Sequence, residues 1–387
     1  MNNFFLAAYL SWQEVWRNRG RFLLVSLVIG LITLLVLFIA ALGEGLGNAN
    51  RQYLDNLDAD LLVYREKADF IIPASRVERS TARAIRRVEG VADAGGIATS
   101  SAAILLADGK TLKVSLLGVE PGRPGDPAVT QGHALAGDEA KEAVVDLNIL
   151  QRSDVKVGDL ITLRVTQGTK DQLYKLRVVG ATDGQLYTFQ PSIFVPYGTW
   201  DRVRTKSDAE LNQPSSTVNV VAVRMAAGIS QTELKQRLTN QVTGIEIADI
   251  PTAVANVPGF SAQQSTVQTQ AVFTLLIGVL VIGGFFQIQI LQKVPQIGVL
   301  KAIGADNFLV GAAAVLQIII TTVIGVALGG SLAFLFSLSF PPTVPIIFNG
   351  ANSAIAIVAL LLIGPVGGLV SIFYAVKIEP LKALRLS

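Results

Sequence analysis

The sequence has no cysteine and a single histidine, and its charged residues are scarce. Without cysteine the chain has neither a disulfide framework nor a thiolate metal site, although this absence does not reveal its compartment. Zinc chemistry and a Ser-His-Asp triad would both depend on His133, which stands in a stretch rich in glycine and proline. We interpret it as an ordinary loop residue. A net charge of +3 gives no indication of nucleic-acid binding.

The scarcity of charge reflects four apolar stretches. Only 16% of the residues are charged, against about 25% in soluble domains. The stretches lie at 22–42, 269–291, 312–338 and 353–376, and none contains Asp, Glu, Lys, Arg or His. Each reaches the roughly 20 apolar residues that a helix needs to cross a bilayer. The pattern predicts an α-helical membrane protein with four transmembrane helices, one before and three after a large polar block.

Basic residues flank these stretches on one side only. Arg17, Arg19 and Arg21 precede the first stretch, the loop after the second carries Lys293 and Lys301, and the tail at 377–387 is basic. The loop at 339–352 has no charge. The positive-inside rule therefore places both termini and the 293–306 segment in the cytoplasm. The block at 43–268 is then extracytoplasmic, between spans predicted at 22–42, 269–292, 307–338 and 353–376.

Aromatic residues mark one face of the N-terminal segment. Phe5, Tyr9, Trp12 and Trp16 recur at helical spacing. Such a face favours the headgroup boundary, so residues 1–21 are predicted to form a cytoplasmic interfacial helix. The alternative is that this segment simply continues the first span.

The extracytoplasmic block is predicted to be an α+β domain. Two αβ parts, about 59–140 and 215–255, flank a β-rich insertion at about 141–200 with the alternation of a small barrel or sandwich. Asp108-Gly109 between apolar runs predicts a hairpin. Stalks are expected at both ends of the block.

A helix predicted at 76–88 is rich in arginine. It carries Arg76, Arg79, Arg83, Arg86 and Arg87. One interpretation is a patch for an acidic partner or for anionic headgroups. The other is a solvated helix face, partly balanced by Glu78 and Glu89.

The segment at 293–306 is the most specific motif. Pro295 suits the first turn of a helix and Gly304 suits the position just after its end. Ile297, Leu300 and Ile303 share a helical face between them. The pattern predicts a short capped helix, which either docks a cytoplasmic partner or lies on the membrane as a connector.

At this point the chain resembles a known family. The run IGVLKAIGA, with Lys293 four residues before it, is similar to the motif of the FtsX/MacB-like ABC permeases. The ending at 378–385, the entry WRNRGRF before the first span and the run from VGDLITLRV to IFVPY also resemble that family, so the resemblance covers nearly the whole chain. One departure is Gln296, where the family usually has Glu, so a charge contact with a partner is weakened or replaced by a neutral hydrogen bond.

The resemblance implies a mechanism and partners. Since no Walker-type motif is present, it implies a separate ATPase subunit that binds ATP and Mg, and a non-catalytic chain without a cofactor of its own. It further implies a second permease copy or a paralogue, and in some systems a membrane-fusion adaptor. The implied ATPase-coupling residues are Lys293, Pro295, Gln296, Ile297, Gly298, Leu300, Lys301, Ile303 and Gly304.

Three functions stay open from the sequence. The first is a mechanotransmission permease, in which ATP hydrolysis moves the extracytoplasmic domain to export a substrate. The second is an ATP-driven regulator of a cell-wall hydrolase or sensor, without transport. The third is a membrane-anchored binding protein, which leaves the capped helix unexplained.

Small residues four apart occur in the last two spans. They are Gly325, Gly329, Gly364 and Gly368. Such pairs permit close helix packing, and packing is a simpler interpretation than substrate contact.

Overall fold

The computed structural model describes residues 3–210, 215–340 and 346–377. Its α-helices are α1 (Asn3–Arg17), α2 (Arg19–Asp55), α3 (Arg79–Ile85), α4 (Leu147–Arg152), α5 (Tyr197–Val203), α6 (Gln231–Gln241), α7 (Ile250–Ala255), α8 (Phe260–Ala302), α9 (Asn307–Ser337) and α10 (Gly350–Val376). Its strands are β1 (Leu61–Arg65), β2 (Val77–Glu78), β3 (Val91–Leu105), β4 (Thr111–Val119), β5 (Gln131–Gly132), β6 (Glu142–Asp146), β7 (Leu160–Gln167), β8 (Lys170–Thr182), β9 (Leu186–Tyr187), β10 (Gln190–Pro196), β11 (Thr217–Val218), β12 (Val220–Met225) and β13 (Ile245–Asp249).

The chain divides into two compact units. The membrane unit combines Met1–Gly45 with Gln264–Ser387, and the extracytoplasmic unit is Leu46–Gln263. Helices α2, α8, α9 and α10 of the membrane unit are long and apolar enough to cross a membrane. Their shared core includes Ile29 of α2, Phe286 of α8, Ile318 of α9 and Ile363 of α10.

Helix α1 is separate from the first span. It ends at Arg17, and α2 begins at Arg19. The aromatic face predicted for this segment is exposed on α1, with Trp12 and Trp16 stacked at 6.3 Å between ring centroids. The other face packs on α9, where the Ser11 hydroxyl donates a hydrogen bond to the Ala313 carbonyl at 3.0 Å. The aromatic side chains of α1 are thus exposed, whereas Ala7, Ser11 and Val15 are buried on its other side.

The prediction of a separate helix at 293–306 is wrong. Helix α8 continues without a break to Ala302, and Pro295 lies inside it. The sequence between Leu291 and Pro295 contains no turn residue that would end the preceding helix. Proline then costs one backbone hydrogen bond, which helices at a membrane tolerate when neighbouring groups compensate.

The extracytoplasmic unit is built on one mixed sheet that contains a closed ring. Strands pair in the order β13-β1-β12-β3-β4-β10-β6-β8, and β7 pairs with both β8 and β3. Six strands therefore close a barrel, β3-β4-β10-β6-β8-β7. The long β3 serves both parts: its first half pairs with β12, and its last residues pair with β7 at Ala103↔Arg164.

The β-rich insertion is therefore not a barrel by itself. Residues 141–200 supply β6, β7, β8 and β10, whereas β3 and β4 come from the preceding part of the chain. The parallel pairing of β10 with β4 and the antiparallel pairing of β7 with β3 complete the ring. Closure removes exposed strand edges, which gives a physical reason for borrowing two strands.

Two hydrophobic cores lie on the two faces of the sheet. The first fills the barrel interior and continues under α3 and α6, with Ile104, Leu163 and Leu234 among its buried residues. The second lies on the other face, where Tyr53 and Leu54 at the end of α2 pack with Leu117 and Phe194.

The helix predicted at 76–88 is shorter than expected. Helix α3 spans only Arg79–Ile85, because Val77 and Glu78 form β2 and pair with β11. Strand pairing overrides the helical periodicity there. The terminal motif at 378–385 and part of the loop at 339–352 lie outside the described residues.

Candidate functional site: the end of helix α8

A Schellman motif ends helix α8. Gly304 has a φ of 102°, the left-handed conformation predicted for it. Its N–H donates to the Lys301 carbonyl and the Ala305 N–H donates to the Leu300 carbonyl, both at 3.0 Å. These two bonds satisfy carbonyls that the helix end would leave free. The last turn of α8 is thereby held in one conformation.

The two faces of this helix end have different environments. Ile297 and Leu300 pack inward against a small core formed by Ile290, Val310 and Ala314. On the other side Gln296, Val299 and Ile303 are exposed, and the Ile303 side chain has 77% of its surface accessible. These three follow the i, i+3, i+7 spacing of one helical face. The sequence predicted one shared face for Ile297, Leu300 and Ile303. In the structure Ile297 and Leu300 face inward, whereas Ile303 faces outward.

Three of the remaining predicted coupling residues are at least partly buried or hydrogen-bonded within the membrane unit. Gly298 is buried and Pro295 half-buried. The Lys301 ammonium donates to the Val376 carbonyl at 2.7 Å, which ties α8 to the end of α10. A cation at a helix C-terminus is favoured by the carbonyls there.

A polar network joins α1, α8 and α9 behind this surface. The Lys293 Nζ lies 2.5 Å from Glu14 Oε1 and donates to Gln317 Oε1 at 3.1 Å. The Gln317 amide donates to Glu14 Oε2 at 2.9 Å, which closes the triangle. The three side chains line a cleft of about 580 Å³. The sequence argument missed Glu14 and Gln317, although an isolated glutamine within an apolar span is a signal of buried hydrogen bonding.

The four predicted packing glycines lie at close helix contacts. A Cβ on Gly325 would be 2.6 Å from the Ile29 Cβ, and one on Gly329 would be 2.3 Å from the Gly30 carbonyl oxygen. Across the α9–α10 contact, a Cβ on Gly364 would be 2.1 Å from the Thr322 Oγ1. A Cβ on Gly368 would likewise meet the Ile318 side chain. The sequence argument missed three more glycines at close backbone contacts, Gly30, Gly283 and Gly367.

The five arginines do not form one patch. Arg86 pairs with Glu120 and lies 4.0 Å from Asp93, and Arg79 stacks over the Tyr197 ring at 4.1 Å. Arg76 donates to the carbonyls of Pro73 and Ser75, whereas Arg83 and Arg87 are exposed. Three of the five, Arg76, Arg79 and Arg86, thus make contacts within the fold.

Metal chemistry finds no support among the described residues. No group of three His, Cys, Asp or Glu residues in them could hold a metal ion. His133 is exposed, and its Nδ1 lies 3.0 Å from the Ala134 carbonyl oxygen.

The end of α2 is fixed to the extracytoplasmic sheet. The Asn56 amide donates to the Gly184 carbonyl at 2.7 Å, and the Leu186 N–H donates to the Gln52 Oε1 at 3.3 Å. Between them Tyr53 is 1% exposed, with its ring centroid 5.5 Å from that of Tyr187. In the same unit Asn50 donates to Gln263 Oε1 at 3.2 Å, which joins α2 to the start of α8.

Comparison with known proteins identifies the family. Residues 22–241 match the model of the MacB-like periplasmic core domain, and residues 270–380 match that of the FtsX-like permease C-terminal domain. A permease protein HrtB of Staphylococcus haemolyticus, whose name provisionally assigns it to a hemin transport system, is 25% identical over 97% of this chain and 98% of its own length. A protein with the same name from Staphylococcus epidermidis is 24% identical over the same shares of both chains.

Among solved structures, the periplasmic region of MacB from Actinobacillus actinomycetemcomitans aligns with a TM-score of 0.38 and 13% identity, over 53% of this chain and 97% of that one. The two family models together cover both units of the chain. A permease with these two domains is a multi-pass protein of the cell membrane and works with an ATPase. The chain belongs to the FtsX/MacB-like family of ABC transporter permeases.

Proposed function

We propose that this permease converts ATP hydrolysis by a separate ATPase subunit into movement of its extracytoplasmic unit, and that this movement exports a hydrophobic substrate. The observation that carries the proposal is the exposed stripe at the end of α8, formed by Gln296, Val299 and Ile303. A rigid helix end with apolar side chains turned outward fits a docking surface for a protein partner.

The stripe has the chemistry of a docking contact. Burying an isoleucine side chain contributes about 1.5–3 kcal/mol, so Ile303 alone supports a ten-fold effect on affinity. Gln296 offers a neutral hydrogen bond at the edge of the stripe. The network of Lys293, Glu14 and Gln317 holds α8 to α1 and α9, so that a force on the stripe moves three helices together.

Two long helices provide the path for the movement. Helix α2 runs from Arg19 to Asp55 and α8 from Phe260 to Ala302, each as one helix. A displacement of α2 is delivered to the sheet through Gln52, Tyr53 and Asn56. On this model both termini are cytoplasmic, two permease copies or paralogues act together, and ATP and Mg are bound only by the partner, so the chain itself is not an enzyme. A membrane-fusion adaptor is an additional candidate partner.

The substrate we propose is a hydrophobic molecule, and hemin is the first compound to test because the relatives are named for it. The four apolar stretches contain no His, Cys or Met. These are common protein ligands of haem iron. A porphyrin in contact with the spans would therefore be held mainly by apolar contacts, and Tyr374 in the last stretch is the remaining candidate ligand for its iron.

Co-purification with the ATPase tests the proposal. The full chain and its ATPase would be isolated from native membranes as wild type and as Ile303→Asp. We expect at least about ten-fold less ATPase to be recovered with the variant. The substitution would place a charge where the isoleucine is buried against the ATPase in the complex. Because the Ile303 side chain is 77% exposed in the permease, the melting temperature of the variant should equal that of the wild type.

Leu300→Asp is the matched control. This residue packs inward, so the charge should lower the melting temperature of the permease. Full recovery of the ATPase with Ile303→Asp would refute docking at this stripe.

A further inference from the structure

The outer surface of the barrel is covered unevenly. On β4, β10 and β6 the outward residues Leu117, Phe194 and Val144 are buried beneath the end of α2 and its neighbours. On β7, the first half of β8 and the last residues of β3 most outward positions are solvent-exposed, and Ala103 and Thr162 are half-buried. We call this exposed part the open sector, and its exposed outward residues include Leu105, Leu160, Arg164, Leu173, Lys175 and Arg177.

The strand register places these residues on one face. Arg164 pairs with Ala103 on one side and with Leu173 on the other, and Thr162 pairs with Leu105 and Lys175. Leu160 pairs with Arg177. Directly paired residues on antiparallel strands share a face, and the intervening positions, such as Leu163, fill the barrel interior.

Three leucines make this face unusual. An antiparallel sheet with one solvated face normally alternates apolar inward and polar outward residues. Here Leu105, Leu160 and Leu173 point outward and are 39%, 61% and 58% exposed. Leu105 and Leu160 line the same cleft, and grouped apolar side chains with a polar rim are typical of a protein interaction surface.

The charge on this face is mostly positive. Arg164, Lys175 and Arg177 stand among the leucines, and Lys113 adjoins Ala103 on β4. Among the outward strand positions the acid is Asp171, 3.9 Å from Arg164, and Asp108, Asp154 and Asp159 border the face beside Leu105 and Leu160. Glu142 borders Arg177 on β6, and its carboxylate already accepts the Ala136 N–H at 3.1 Å.

We propose that the open sector is a docking surface for an extracytoplasmic protein that presents carboxylates around apolar side chains. The outward leucines and cations spread over β3, β7 and β8, an area that suits a macromolecule and not a small molecule. A symmetric contact with a second copy would oppose like charges. Complementary acidic charge would both steer and orient the partner.

Site-specific photo-crosslinking tests the proposal. The photoreactive residue benzoylphenylalanine would replace Leu160 or Leu173 in the full chain, expressed with its ATPase in native membranes, and adducts would be identified by mass spectrometry. Asn240, exposed on α6 of the same unit, is the control position. We expect both positions of the open sector, and not residue 240, to capture the same extracytoplasmic protein with an acidic surface.

Charge reversal provides the second arm. Arg164→Glu with Lys175→Glu should lower the adduct yield about ten-fold or more, because like charges then face each other. Both side chains are exposed, so melting temperature and ATPase co-purification should not change. Adducts with lipid, adducts with a second copy of this chain, adducts that are insensitive to the reversal, or no adducts would each overturn the proposal. The ATPase readout separates this failure from a failure of the proposed function.

Discussion

Tyr53 allows a prediction in which two substitutions act in opposite directions. The side chain is 1% exposed, and its ring packs against Tyr187 and Phe194 with centroids 5.5 and 5.9 Å away. Its hydroxyl is buried and has no hydrogen-bond partner among the described residues. The ring therefore stabilises the end of α2 on the sheet, whereas the hydroxyl does not.

The magnitudes follow from these two features. Tyr53→Ala removes a buried aromatic ring and should lower the free energy of unfolding by about 3–5 kcal/mol. For a unit of this size that corresponds to a fall in melting temperature of roughly 6–20 °C. Tyr53→Phe removes a buried polar group without a partner, so stability should be unchanged or higher by up to about 2 kcal/mol.

Thermal unfolding of the purified full chain in detergent measures both effects, followed by tryptophan fluorescence in a Trp12→Phe, Trp16→Phe background that leaves Trp200 of the same unit as the reporter. The alanine variant should also lose coupling between ATP hydrolysis and transport, because α2 is no longer fixed to the sheet. A clear loss of stability in Tyr53→Phe would refute the reasoning, since it would mean that the hydroxyl is well hydrogen-bonded.

Two further predictions concern packing and pH. Gly329→Ala should lower the stability of the membrane unit in detergent by about 1–3 kcal/mol, because the new Cβ meets the Gly30 carbonyl. The neighbouring Gly330 faces open space, so Gly330→Ala should be neutral. Equal effects of the two substitutions would contradict the packing role of Gly329. Burial raises the pKa of Asp146 above its ordinary 3.8, against hydrogen bonds from Asn148 and Gln185. The folded state therefore keeps this proton to higher pH than the unfolded chain, and the contribution to stability falls as pH rises from about 4 through the folded pKa. Asp146→Asn removes this dependence, so its melting temperature relative to wild type should rise across that window; a parallel pH profile would contradict the assignment.

The membrane spans could be predicted from the sequence because their signal is local. A run such as 22–42 has length, apolarity and no charge, and these properties alone determine that a helix can cross a bilayer. The end of α8 at Gly304 was also predictable, since a left-handed residue favours glycine.

The barrel could not be predicted in the same way. Its closure depends on Ala103 pairing with Arg164, two residues far apart in the chain whose local patterns contain no information about each other. Pro295 had two compatible positions, the first turn of a new helix or the interior of α8, and only packing decides between them. The network of Glu14, Lys293 and Gln317 likewise requires three helices to meet.

The central claim is that ATP hydrolysis in a partner subunit moves the extracytoplasmic unit. Since the chain has no cysteine, a single spin label can be attached to Lys170→Cys at the exposed start of β8 without removing native thiols. If two copies assemble as proposed, pulsed electron paramagnetic resonance on the complex would compare the distance between their labels with and without trapped ATP. We expect the distance distribution to shift on ATP trapping and to return after hydrolysis. An unchanged distribution in a complex that hydrolyses ATP would contradict the claim.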